Sequence, residues 1–399
     1  MTKRRDRGDG GIDQRGENSW RLRYRIKGRR ISQTFHGTLS DARKELRRLL
    51  KSGDDGTHVA PDKITLGQWV KLWIANGAPG RRQKRVGRRT LHRYAELLRY
   101  HVLPVLGGRP LQQIQATEID ALYVSLEGKI APRTCRHVHD VLSSCLGTAV
   151  RKGLLAVSPM ERVTTVPSPP ESDHGMALDQ DQLRALVEGF RNSMLFPIVA
   201  VAAFTGARRS EIVALRWSDL DTENKTLRIE RAVEEVELQP LAIKGPKTER
   251  GKRTIAIDDD LVALLRSERE KHLRIMAGVP DGVAVDLSLV KLPDGALMFP
   301  NPPTPGEEFS FTKLRSPDSV TKQFVRRAQK LGFPGLRFHD LRGSHETLLL
   351  DAGVPVHVVA ARCGHDPAVL LRSYAKRTRK ADTSAAAVIG ALSKGVLGR

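Results

Sequence analysis

Seven side chains in the second half of the sequence could together work on a phosphate ester: Arg208, Glu211, Lys247, His339, Arg342, His365 and Tyr374. Arg208 lies just inside a predicted helix introduced by Thr205 and Gly206, and Glu211, three residues on, shares its face and can fix its guanidinium. Alone, the pair reads first as a surface ion pair, with Arg209 competing for the role. Lys247, in GPKTERGKR, falls in a turn between two predicted strands, where lysines are usually solvated. His339 and Arg342, in FHDLRGSH, share a helix face from which both could meet one phosphate; a core histidine beside an exposed arginine has the same spacing. His365 follows Gly364 in a predicted turn, and Tyr374 stands nine residues later beyond a short apolar helix, where a packing aromatic is the ordinary alternative.

As a set, these residues suit transfer of a phosphodiester onto a phenol. Arg208 and Arg342 would clamp the non-bridging oxygens, whose charge shifts in the transition state. A free phenol has a pKa near ~10, so nearby cations must favour its ionised form. His339 can take the phenol proton, Lys247 can protonate the departing 5′ oxygen, and His365 can donate a hydrogen bond to the same phosphate.

These groups must be carried by more than one domain, since 399 residues is two to three times the usual domain length. WRLRYRI alternates with period two and leads through Lys27-Gly28 into RRISQTF, a predicted hairpin followed by a helix over SDARKELRRLL. This gives a small α+β N-terminal module over residues 1–62. Residues 63–163 read as all-helical, with predicted helices from Thr65, over Thr90–Tyr100, Thr117–Leu126 and Pro132–Lys152. TTVPSPPESDHG, residues 164–175, is a linker. Residues 176–399 read as mainly α with a small antiparallel sheet predicted from TLRIERAV, ELQPLAI and KRTIAI; residues 276–308 read as loop.

The net charge is +22, and residues 1–174 hold 33 of the 67 basic side chains but only 17 of the 45 acidic ones. A positive field on the two N-terminal pieces makes DNA or RNA the leading partner through counterion release, ahead of a solvated basic surface or an anionic membrane. The longest apolar stretch, Met194 to Phe204, is too short to span a bilayer, so no membrane segment is expected. Three separated cysteines form neither a disulfide framework nor a thiolate zinc cage, and the basic start lacks the apolar block of a secretion signal; a cytoplasmic location is expected.

The ordered set resembles the tyrosine recombinase family, of the phage-integrase type. TGARRSEIVALRW has the form of the family's T-G-x-R-x-x-E segment and following Leu-x-Trp, which selects Arg208 over Arg209. Lys247 corresponds to the family's β-turn lysine, HDLR to its H-x-x-R box, and Gly364-His365 with Tyr374 to its G-H pair and nucleophile. Gly-Ser-His after Arg342, and Cys363 before Gly-His, depart from the usual pattern at positions that are not catalytic.

The resemblance implies an arm-type DNA-binding module, a SAM-like core-site binder and a catalytic domain, the last two clamping duplex DNA. It implies attack by Tyr374 to leave a 3′-phosphotyrosyl link and a free 5′ hydroxyl, with no metal or ATP, and exchange between duplexes in a homotetramer. KADTSAAAVIGALSKG, after Tyr374, would pack on a neighbouring subunit. An arm-type module favours an integrase of a phage or other mobile element over a chromosome resolvase. A type IB topoisomerase and a non-catalytic DNA-binding relative remain alternatives, and a metal-dependent transposase lacks an acidic triad. Attachment sites, and whether an excisionase and a DNA-bending factor take part, are not fixed by the sequence.

Overall fold

The structure, a computed structural model, describes residues 10–26, 28–54, 59, 62–80, 84–168, 175–246 and 249–374. Lys247 and the segment after Tyr374 lie outside the described residues. The chain divides into two compact units, Met1–Ser172 and Asp173–Arg399.

The first unit opens with strands β1 (Gly11–Gly16), β2 (Ser19–Ile26) and β3 (Arg29–His36), antiparallel in the order β1-β2-β3, and helix α1 (Leu39–Asp54). Alternation along β2 turns Leu22 and Tyr24 onto Ala42, Leu46 and Leu49 of α1, a small separate core. The same alternation leaves Arg21, Arg23 and Arg25 exposed on the other face. The hairpin predicted from WRLRYRI and RRISQTF is β2–β3; β1 is an addition, hidden in the sequence because GIDQRG carries too little apolar alternation.

The rest of this unit is helical: α2 (Leu66–Ala75), α3 (Arg88–Leu97), α4 (Leu103–Leu106), α5 (Ala116–Leu126) and α6 (Pro132–Arg151). Thr65 and Gln68 form a capping box that starts α2, and its stripe Leu66, Trp69, Val70 and Trp73 is buried. The helix predicted over Thr90–Tyr100 departs from α geometry at Leu98–Val102, a π turn that runs into α4. Pro104, with no N–H for the regular ladder, accounts for that shift.

The second unit is built around α8 (Phe196–Thr205), in which Pro197 through Ala203 are all buried. Packed on it are α7 (Gln180–Gly189), α10 (Asp259–Ala277) and α12 (Phe338–Asp351); α9 (Arg209–Ile212), α11 (Pro317–Lys330), α13 (Val356–Cys363) and α14 (Pro367–Tyr374) complete the helices. The expected single sheet is two: β4 (Leu220–Asp221), β5 (Thr226–Ile229) and β8 (Arg253–Ala256) form one, and β6 (Ala232–Glu234) with β7 (Ala242–Lys244) forms the other. TLRIERAV therefore splits between sheets, and at the break Arg231 turns to pair with the buried carboxylate of Asp219. Between α10 and α11 the chain is irregular, yet it returns Ala296, Met298 and Phe299 to the core. Among the described residues no helix is long and apolar enough to cross a membrane.

Candidate functional site

The site begins where α8 stops. Gly206 caps α8 in the left-handed conformation, φ 65°, and a Cβ there would lie 2.8 Å from His345 Cδ2 and 2.9 Å from Cys363 Sγ, so backbone and packing both require glycine. Thr205 and Gly206 thus close one helix rather than open the next. Arg208 is the residue before α9, with extended backbone, and not inside a helix. Glu211 accepts from both the backbone N–H of Arg208 at 2.9 Å and its Nη1 at 2.7 Å. That carboxylate takes the backbone N–H of Arg208 at the start of this four-residue helix, and the charge available to a ligand is the guanidinium, which is 36% exposed.

Glu211 is itself buried and also receives Arg253 Nη2 at 2.8 Å. Burial would raise its pKa, but the hydrogen bond and charge of Arg253, with the charge of Arg208, hold it below the ordinary carboxylate value. It stays an anion that orients two arginines.

Helix α12 carries His339 and Arg342 in its first turns. Only 2% of the Arg342 side chain is exposed, and each of its nitrogens is engaged: Nη1 donates to Gly206 O at 2.7 Å, Nη2 to Cys363 O at 2.5 Å, and Nε lies 3.0 Å from Glu346 Oε1. A guanidinium has five donors, so one hydrogen on each Nη remains for a ligand. His339 keeps an accessible ring although protein atoms crowd it. That crowding, then the charge of Arg342, lowers its pKa against the opposing pull of Glu346 and Asp340, which favours the neutral ring a proton acceptor needs.

The C-terminal end of α13 draws these groups together. Its last carbonyls lack helical partners, and three consecutive ones accept from arginines: Arg362 O from Arg253 Nε at 2.7 Å, Cys363 O from Arg342 Nη2, and Gly364 O from Arg208 Nη2 at 3.1 Å. Gly364 adopts φ 67°, and a Cβ there would meet Arg250 O at 2.9 Å. His365 follows, its Nε2 at 2.6 Å from Glu346 Oε1.

The structure thus brings Arg208, Glu211, Arg342 and His365 into one bonded cluster, with His339 on the same helix as Arg342. Tyr374, the last residue of α14, stands apart: its hydroxyl donates to Asp351 Oδ1 at 2.9 Å. Asp351 is nine residues beyond Arg342 on α12, a rise of ~14 Å and half a turn around the helix. Lys247 is outside the described residues. Burial pushes the Cys363 thiol up to about 11, so it is no competing nucleophile.

Sequence reasoning missed Arg253, Glu346 and Asp351. The i,i+4 spacing of Arg342 and Glu346 was the only available signal, and it predicts a surface pair rather than a buried one. Of the departures from the family pattern, Ser344 accepts from the backbone N–H of Leu178 at 2.9 Å, and Cys363 is buried against Gly206. Chemically, the cluster offers two fixed guanidiniums and one imidazole beside them, with the crowded imidazole of His339 on the same helix as Arg342, a combination suited to a phosphoryl group whose charge shifts during reaction.

Residues 177–380 match the phage integrase family, and residues 65–126 match the phage integrase N-terminal SAM-like domain. An integrase of Streptomyces ambofaciens is 27% identical over 413 aligned positions, covering 99% of both chains. The Tn1549 transposon integrase in complex with a circular intermediate DNA superposes with a TM-score of 0.61 at 17% identity, covering 82% of this chain and 99% of that one. A lambda integrase dimer bound to a COC′ core site gives 0.55 at 15% identity, covering 94% and 98%.

Proposed function

The chain belongs to the phage integrase family, and from that premise we propose that it is a site-specific DNA recombinase that breaks and rejoins duplex DNA through a 3′-phosphotyrosine intermediate. The observation that carries this reading is the attachment of Arg208 and Arg342 to the adjacent carbonyls of Gly364 and Cys363, which sets two guanidiniums side by side with His365 next to them. Arg208 and Arg342 clamp the scissile phosphate. Tyr374 Oη attacks phosphorus as His339 takes its proton; the bond from phosphorus to the 5′ oxygen breaks, and Lys247 protonates that oxygen. His365 donates to a non-bridging oxygen, and Glu211 keeps Arg208 in place.

The ester is exchanged rather than hydrolysed, so rejoining needs no ATP, and the cationic side chains supply the charge stabilisation a metal would otherwise give. The module of residues 1–62 binds arm-type DNA sites through its basic face. Residues 63–163 bind the core site, residues 164–175 link them to the catalytic domain of residues 176–399, and four subunits assemble on two duplexes. The protein works in the cytoplasm as the integrase of a phage or another mobile element, with an excisionase and a DNA-bending factor as accessory partners.

The deciding experiment is Tyr374→Phe on a nicked suicide substrate. The expected result is loss of the covalent protein–DNA adduct with specific binding retained; an adduct formed by the variant would refute Tyr374 as nucleophile.

A further inference from the structure

Resting on the reaction just proposed, we infer that Glu346 is a positioning residue that holds His365 in the form able to donate to the phosphate. Glu346 lies inside the protein, with 7% of its side chain exposed, and one oxygen, Oε1, faces both Arg342 Nε at 3.0 Å and His365 Nε2 at 2.6 Å. A nitrogen and a carboxylate oxygen at 2.6 Å need a proton between them, so Nε2 carries hydrogen and donates it to Glu346. Arg342 Nε also lies 3.2 Å from His365 Nε2, but a protonated Nε2 has no lone pair to offer, so the arginine hydrogen goes to Glu346 as well.

This assignment has a consequence for the ring's other edge. With Nε2–H committed to Glu346, a hydrogen bond from His365 to a phosphate oxygen must come from Nδ1–H. A ring carrying both hydrogens is a cation, and the carboxylate behind it is the compensating charge. Glu346 therefore stands to His365 as the buried acid stands to the histidine of a catalytic triad, fixing ring orientation and proton placement without touching the substrate.

The burial of Glu346 argues for such a role. Isolating a carboxylate from water is costly, and a buried ion pair often contributes no more to stability than apolar side chains of similar volume. Its position between two groups assigned to the phosphate gives that carboxylate a task beyond packing.

The test is single-turnover adduct formation on the suicide substrate by full-length Glu346→Gln, which keeps the shape and removes the charge, alone and combined with His365→Ala. The expected result is a fall of ~10–100-fold in cleavage rate for Glu346→Gln, the usual cost of losing a group that orients another. Core-site affinity is unchanged, and no further fall appears in the His365→Ala background. Equal slowing in both backgrounds, or none in either, overturns the inference. Should Glu346→Gln fail to fold, Glu346→Asp, which keeps the charge but withdraws it from the ring, goes through the same cycle with the same two outcomes. Wild-type protein that forms no adduct would instead overturn the underlying reaction, and this inference with it.

Discussion

The hydroxyl of Tyr374 donates to Asp351 Oδ1 at the opposite end of α12 from Arg342. In this arrangement the proposed nucleophile is held away from the proposed phosphate clamp, and cleavage requires it to leave Asp351. A hydrogen bond of this kind contributes ~1 kcal/mol net, so Asp351→Ala should speed single-turnover adduct formation by roughly fivefold. Unchanged or slower cleavage would show that Asp351 does not restrain the tyrosine.

Arg342 and Arg208 should answer differently to lysine. Lysine cannot replace the three separate contacts that Arg342 makes with Gly206, Cys363 and Glu346, so Arg342→Lys should lower cleavage by ~10²–10³ and destabilise the catalytic unit by ~2–4 kcal/mol. Arg208, partly exposed, should lose a comparable rate with little loss of stability. Denaturant melts beside cleavage assays separate the two; equal destabilisation would contradict the difference in burial.

Stability should also fall in mild acid because two buried histidines are held neutral. His272 Nδ1 accepts from Trp217 Nε1 at 3.0 Å, and Arg362 Nε donates to His345 Nε2 at 3.2 Å while His345 Nδ1 faces Ala203 O at 2.9 Å. Each protonation would remove a lone pair in use. Burial, with Lys271 beside one and Arg362 beside the other, pushes both down to about 4. Because the folded values lie below the unfolded ones, stability is full above ~6.5, falls as pH drops toward ~4, and is level below, losing ~1–3 kcal/mol per histidine. Denaturant melts at about pH 7.5 and about pH 5 should show a smaller difference for His272→Phe than for wild type.

Cleavage itself should rise with pH through a midpoint below the ordinary histidine value, since a neutral His339 is the proton acceptor and crowding favours that form. His339→Gln should lower the rate and remove that limb of the profile. A limb that survives unchanged would assign it to another group.

Binding through the N-terminal module should be strongly dependent on salt. Arg21 and Arg25 share the exposed face of β2, and removing both should weaken arm-site affinity and reduce the slope of log affinity against log salt by ~2. Cleavage of an isolated core site should be unaffected. An unchanged slope would place the DNA on another face.

Much of this protein is written in local pattern. The amphipathic stripe of α2 and the alternation of β2 recur in the structure because a side chain's face follows from its position in a helix or strand. The spacing of His339 to Arg342, and of Arg208 to Glu211, needs only one turn of chain to interpret. Local pattern fails where chain termination matters: Gly206 ends α8 and puts Arg208 ahead of α9, because a left-handed glycine reverses the chain where periodicity alone would continue it.

The sequence by itself determined which side chains are available, their order, and the family to which that order belongs. Only the tertiary structure decided that Arg253, Arg342 and Arg208 meet successive carbonyls at the end of α13, that Glu346 reaches His365, and that Tyr374 rests on Asp351. Those contacts join residues as much as 156 positions apart, and the strength and geometry of a hydrogen bond depend on distance and burial in space, which no local spacing encodes.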